Sequence, residues 1–255
     1  TVMSEPGSGC DNTQSTSEAK LADDGVHYQI NGHKHFGSGS GMTSFMVTHA
    51  VPEGETSPDT FILDMRDVNW DGSSGVELIA PWDGHGMTST QSHRMFFEDF
   101  PATRLAFPGD ERRKMIAGMD RPQGAYFVAV ITGIVEIAVA TARQQLESKH
   151  NRMRSFEEVE WAKVEIDAWL IHQSYEGMLR EVELGNATGR NVLLAKEAVA
   201  ELAESVLLRI SKVIGGSAYS RQSPYGFWLE DVRALGFLRP PWGLAYDRVF
   251  QGSWD

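Results

Sequence analysis

The sequence predicts an α+β protein: an antiparallel β-barrel or sandwich followed by an antiparallel four-helix bundle. Two patterns and a border carry this. Short apolar runs separated by turn residues fill the first part of the chain, and long runs with helical spacing fill the rest. The change falls near residue 110, which divides the chain into domains at 1–110 and 111–255. Its 255 residues exceed the roughly 100–200 of one typical domain, in keeping with two.

In the first part Val26–Ile30 alternates, Asn31-Gly32 is a strong hairpin signal, and His33–Phe36 continues beyond it. Phe45–Val51, Thr60–Met65, Gly75–Ile79, Arg94–Phe97 and Thr103–Ala106 read as further strands, with a polar connection at Glu53–Asp59. Strands at this spacing suggest a closed or two-layered antiparallel architecture.

The second part predicts helices at Lys114–Ser148, Ser155–Leu184, Arg190–Ile214 and Tyr225–Leu235. In the second of these, Trp161, Val164, Ala168, Ile171 and Tyr175 recur at spacings of three and four and mark one apolar face. Gly185-Asn186 and Gly215-Gly216 read as helix stops. Short connections between long helices imply antiparallel packing. Gly124–Ala142 is about as long and apolar as the roughly 20 residues of a membrane span. Glu136 lies inside it, where a carboxylate is costly, and there is no second candidate span. The stretch is therefore read as a buried bundle helix and no membrane span is expected.

Charge and cysteine content narrow the function. With 35 acidic against 23 basic residues the net charge is -12, so binding to a phosphate backbone is disfavoured and no nucleic-acid partner is expected. A local basic pocket for a small anion is compatible with that balance. The single cysteine, Cys10, has no internal partner, which fits a reducing, cytoplasmic compartment. The chain starts at Thr1 in motif-rich text with no basic-then-apolar leader, and a longer protein is expected.

Three strings stand out. The first is Val2-Met3-Ser4-Glu5-Pro6-Gly7-Ser8-Gly9-Cys10-Asp11, a strand end running into a Gly-rich turn. Its glycines permit close approach to a ligand, and its hydroxyls and amides offer hydrogen bonds. The second is Tyr28-Gln29-Ile30-Asn31-Gly32-His33-Lys34-His35-Phe36-Gly37-Ser38, and the third joins Gly86–Ser92 to Met95–Pro101. Taken singly, each is a turn, a hairpin or a loop.

In this order, and followed by helices, they resemble the acyl-CoA dehydrogenase superfamily. Cys10 stands where that family's first signature has Ser or Thr, and Phe36 where the second has Trp. Val213-Ile214-Gly215-Gly216 resembles the Gly-Gly turn before the last family helix. The resemblance implies a flavoprotein that holds FAD between a middle β-domain and a C-terminal helical domain, with a helical N-terminal domain ahead of both. By position, Met3 and Ser4 would face the isoalloxazine, Phe36 and Ser38 would flank it, and Gly215 and Gly216 would approach the FAD of a neighbouring subunit. Cys10 would lie on the substrate side. The resemblance further implies an acyl-CoA-type substrate, an electron-transfer acceptor, and a homo- or hetero-oligomer, a dimer or tetramer.

The family reaction is α,β-dehydrogenation of the thioester, with a carboxylate taking the α-proton while hydride passes to flavin N5. Here the sequence departs from the pattern. An ungapped count from Gly215-Gly216 puts Arg239 at the position of the usual Glu, and an alignment with an insertion puts Gln251 there. The second family position falls near Gln123. None is a base near neutral pH. Asp247 is the nearest acidic substitute and the expected catalytic residue, with a surface Asp paired to Arg248 or Arg239 as the plainer reading. Glu136 is the other candidate, against a helix-face Glu satisfied by a neighbour. His33 and His35 share a strand face, but no partner supports a metal, and none is expected. Lys149–Arg154 is the densest basic run and is read either as a phosphate contact or as a solvated loop. The expected function is an acyl-CoA dehydrogenase-like oxidoreductase. The alternatives are a non-catalytic subunit of such an enzyme and a same-fold flavin oxidase or monooxygenase.

Overall fold

In the computed structural model residues 1–9, 11, 14–105, 123–184 and 189–254 are described, with the backbone alone at 123 and 124. Six strands form one sheet: β1 (Glu18–Leu21), β2 (Tyr28–Gly37), β3 (Phe45–Pro52), β4 (Asp59–Asp64), β5 (Val76–Ala80) and β6 (His93–Arg104). The order β2-β1-β3-β4-β6 closes on itself, because β6 also pairs with β2. The result is a five-strand barrel, with β5 added to the outer reach of β6. Only β1–β3 is parallel; the other pairs are antiparallel. Period-two alternation sends Ala19, Ile30, Met46, Phe61, Leu63, Met95 and Phe97 into a common core.

Three strand expectations change. β1 was not foreseen, because only Ala19 of its four residues is buried and no alternation betrays it. Asn31-Gly32 does not turn a hairpin but continues through β2. Ile30 pairs with Phe100 and Gly32 with Phe97, so the extra residue lies on β6 as a bulge. Asp99 sits there at φ 50°. Its amide donates to Asn31 Oδ1 at 3.0 Å, and Asn31 Nδ2 donates to Asp99 Oδ1 at 3.1 Å. Gly32 is required on two counts: its φ is 145°, and a Cβ would lie 2.3 Å from Ser17 Oγ. Finally, Arg94–Phe97 and the start of Thr103–Ala106 belong to one strand, β6.

The helical region contains α1 (Gln123–Leu146), α2 (Ser155–Glu183), α3 (Gly189–Ile214), α4 (Tyr225–Arg233) and α5 (Trp242–Gln251). Among the described residues the expected four helices are three long ones and short α4, and α5 is a fifth. The domain border at 110/111, the stretch from Lys114 to the start of α1, and the Gly185-Asn186 stop lie outside the described residues. Polar side-chain contacts give the helix directions. Ser205 meets Asp167 at 3.0 Å while Lys212, further along α3, meets Glu160 at 3.8 Å, so α3 runs antiparallel to α2. Arg143 meets Glu165 at 2.9 Å and Glu136 meets His172 at 3.8 Å, so α1 and α2 are antiparallel as well. In α2, Val164 and Ile171 are buried, with Trp161, Ala168 and Tyr175 packed against the same core.

The hub is α3, which packs on all four other helices and buries Val199, Ala203, Val206, Leu207 and Ile210. α1 is not the wholly enclosed helix that its composition suggests. Val128, Ile131, Val135 and Ala138 face the core, while Tyr126, Val130 and Ile137 are exposed. By length and composition it is, among the described residues, the one helix able to cross a membrane. Short α4 is pinned to α1 by buried Tyr225, whose hydroxyl donates to Gln145 Oε1 at 3.0 Å.

The described residues fall into two compact units, residues 1–84 with 88–105 and residues 85–87 with 123–254. Within the second unit the Met87 amide donates to Asp231 Oδ1 at 2.6 Å.

Candidate functional site

In the β-unit the first two strings are neighbours. Ser4 forms an isolated bridge with His35, whose amide donates to the Ser4 carbonyl at 2.7 Å. Ser4 is buried, and the preceding Met3 is half-buried. The next residue along β2, Phe36, holds a left-handed φ of 53° and leaves 48 % of its surface exposed. A bulky residue rarely adopts that conformation, and such strain tends to collect at ligand sites. Phe36 meets Trp82 edge to face at 6.0 Å and His35 at 6.2 Å. Trp82 is held in turn by its amide, which donates to His93 Nδ1 at 2.9 Å.

Beyond Phe36, three hydroxyls form a chain. Ser38 Oγ lies 2.8 Å from Ser92 Oγ, which lies 2.7 Å from Thr90 Oγ1. Exposed Ser38 and half-buried Thr90 flank the buried Ser92, so the orientation of the Ser38 hydroxyl is set by the third string. Burial pushes the His35 imidazole below its ordinary pKa, with Arg94 and His33 adding to the effect. Its Nε2 is buried without a hydrogen-bond partner. The site therefore offers an exposed aromatic edge, an oriented hydroxyl and a neutral imidazole beside a strained backbone turn.

Beneath it lies a charged pair that sequence reasoning did not single out. Lys34 Nζ, wholly buried, forms an ion pair with Glu5 Oε1 and donates to the His49 carbonyl at 2.5 Å. The Glu5 carboxylate also accepts from Ser15 Oγ at 2.5 Å, the Thr16 amide at 2.6 Å, Thr16 Oγ1 at 2.7 Å and the Ser17 amide at 3.2 Å. Burial alone would raise the Glu5 pKa; the ammonium and the surrounding donors outweigh it and hold the group at about 2. Glu5 and Lys34 each stand inside a signature string, which was the signal available beforehand.

In the helical unit the expected residues are dispersed. Gly215, at φ 84°, and Gly216 form an exposed turn after α3. Asp247 is exposed on α5 and accepts from Gln251 Nε2 at 3.1 Å, so its partner is neither of the arginines expected. The Glu136 side chain is 60 % exposed and faces His172 rather than an apolar core. Of the basic run, His150 lines a cavity of 460 Å³ together with Arg143, Met153 and Trp161. Cys10 lies outside the described residues, as does the Gln123 side chain.

A closed barrel carrying these strings, followed in the chain by a unit of antiparallel helices, defines the class by its fold, that of acyl-CoA dehydrogenases. Residues 1–100 match the family model "Acyl-CoA dehydrogenase, middle domain". Butyryl-CoA dehydrogenase from Megasphaera elsdenii superposes with a TM-score of 0.81 at 19 % identity, over 100 % of this chain and 68 % of that one. KijD3 in complex with FMN and dTDP-3-amino-2,3,6-trideoxy-4-keto-3-methyl-D-glucose superposes with a TM-score of 0.78 at 18 % identity, over 99 % of this chain and 64 % of that one. In sequence, the amino sugar nitrososynthase DnmZ of Streptomyces peucetius is 27 % identical over 232 residues, 84 % of this chain and 56 % of that protein. The chain thus spans about half the length of the curated relative it matches. Residues 1–100 thus match the middle domain of that family, and the described chain shares the fold of its members.

Proposed function

We propose that this chain is the flavin-holding portion of an oxidoreductase that uses dioxygen to oxidise an amino group, a same-fold monooxygenase rather than an acyl-CoA dehydrogenase. The observation that carries the reading is the missing base. Thioester dehydrogenation requires a carboxylate enclosed beside the α-carbon. The positions that the family uses hold Arg239, Gln251 and Gln123, and the acidic substitutes Asp247 and Glu136 are exposed. A reaction whose oxidising power comes from cofactor and dioxygen needs no such base. The match to an amino sugar nitrososynthase, and the likeness to a structure holding FMN and an amino-sugar nucleotide, support the same direction.

The β-unit residues fit a flavin. The half-exposed Phe36 ring gives a flat heterocycle an aromatic edge to pack on. Ser38, oriented by Ser92, presents a hydroxyl to a ring heteroatom or carbonyl. Ser4 and Met3 flank this surface from the adjoining strand. When bound, the flavin, FAD or FMN, supplies the redox chemistry. Gly215 and Gly216 leave an open turn that a phosphate-bearing group can approach, and Cys10 is assigned to the substrate side. Apolar side chains exposed on α1 and α2, among them Ile137, Ile166 and Trp169, suit an oligomer.

The experiment is a choice of substrates. Full-length protein reconstituted with flavin and a flavin reductant should consume dioxygen and oxidise a nucleotide-linked amino sugar. It should leave butyryl-CoA unchanged with an artificial electron acceptor. Dehydrogenation of an acyl-CoA at a turnover typical of enzymes, about 1–1000 per second, would overturn the reading.

A second reading keeps acyl-CoA dehydrogenation with Asp247 as base, favoured by the match to the dehydrogenase middle domain. It is separated by Asp247→Asn. If Asp247 is the base, the substitution lowers the rate about 100-fold or more; if it is only an exposed helix residue, the substitution changes the rate less than about twofold.

A further inference from the structure

Stability alone gives the buried Glu5–Lys34 pair no rationale. Desolvating two charges offsets most of their attraction, and apolar residues of similar volume commonly do as well. What the pair does have is an arrangement. Glu5 follows Ser4 in the first string, and Lys34 precedes His35 and Phe36 on β2. The pair sits inside the barrel, whereas Phe36, two residues beyond Lys34, is exposed because its left-handed φ of 53° breaks the strand's alternation. Every remaining ligand of the two charges comes from a different stretch: Ser15, Thr16 and Ser17 from the segment before β1, and the His49 carbonyl from β3. Four pieces of chain are therefore tied to one buried centre. The main-chain link between the strings on the outer side is the His35 amide bond to the Ser4 carbonyl, at 2.7 Å.

We propose that Glu5 and Lys34 are positioning residues: the buried pair clamps the first string against β2 and so fixes Met3, Ser4, Phe36 and Ser38 in the arrangement that meets the flavin. The proposal rests on the flavin reading above. Neither residue reaches the ligand surface, since both are enclosed in the barrel. Their effect passes through the Ser4–His35 bridge. A site assembled in advance binds more tightly because less must be ordered on binding.

The test uses full-length protein carrying Glu5→Gln together with Lys34→Met, which removes both charges and strands neither. Two readouts are taken: amide hydrogen exchange at His35, against Phe61 and Leu63 in the same barrel, and titration with FMN and FAD. The clamp predicts unchanged exchange at Phe61 and Leu63, exchange at His35 about tenfold faster or more, and flavin affinity about tenfold weaker with a shifted visible spectrum. His35 exchange and flavin affinity both within about twofold of the parent protein would overturn it. If the double variant does not fold, Lys34→Arg and Glu5→Asp keep the charges and alter the reach. Faster His35 exchange in either supports the clamp, and unchanged exchange in both overturns it. If the parent protein binds no flavin, the exchange readout still decides the clamp, and only the flavin reading falls.

Discussion

At the scale of single residues, the barrel interior contradicts the usual rule that lysine and glutamate stay outside. Sequence patterns mark apolar residues as interior, so Ile30, Phe61 and Phe97 were legible, and Lys34 was not. It became legible only with the structure, which shows its ammonium met by the Glu5 carboxylate and the His49 carbonyl. Glu136 errs in the other direction. An acid inside an apolar run suggests a buried group, but at 3.6 residues per turn it falls on the face of α1 turned outward. The Glu5 carboxyl yields a pH prediction. Its folded pKa of about 2 lies below the ordinary 4.5, so its contribution is complete above 4.5 and is lost as pH falls toward 2. Urea denaturation from about pH 6 to pH 3 should show stability falling, and Glu5→Gln should flatten that part of the profile. An equally steep fall in the variant would show that other carboxylates carry it.

At the scale of elements, the sequence separates strand from helix correctly but misplaces connections. Asn-Gly is a strong hairpin signal because both residues tolerate positive φ. Here the tolerance serves a different need: Gly32 lets β1 approach while Asn31 bonds the bulge at Asp99. Gly32→Ala forces a Cβ to within 2.3 Å of Ser17 Oγ at a φ that alanine avoids. It should cost about 2–4 kcal/mol, read as a lowered denaturation midpoint; a cost under about 0.5 kcal/mol would mean that the strands separate freely there. The missed helix α5 had a signal. Pro240-Pro241 precede it, as prolines often precede a helix start, and Trp242, Ala245 and Val249 follow at helical spacing. β1 had no such signal, since a four-residue strand with one buried side chain is set by its neighbours rather than by its own sequence.

At the scale of the whole molecule, the barrel and the helical unit were both foreseen, because their hydrophobic periods differ and each period persists over many residues. The strings singled out in the sequence are neighbours in the barrel, through the Ser4–His35 bridge and the Ser38–Ser92 bond. The chemistry was less legible. A motif reports the surface that holds a cofactor, whereas the reaction depends on a few side chains that differ between enzymes sharing a fold. The departures at Arg239, Gln251 and Gln123 were the sequence features that pointed away from dehydrogenation. The account's central claim is that this chain holds a flavin on the surface formed by Met3, Ser4, Phe36 and Ser38. The most direct measurement is a titration of full-length, flavin-free protein with FAD and with FMN, followed by visible absorbance and fluorescence, in parallel with Phe36→Ala. The account predicts saturable binding of at least one flavin in about a 1:1 ratio, weakened about tenfold or more by the substitution. No saturable binding of either flavin, or binding unaffected by the loss of Phe36, would contradict it.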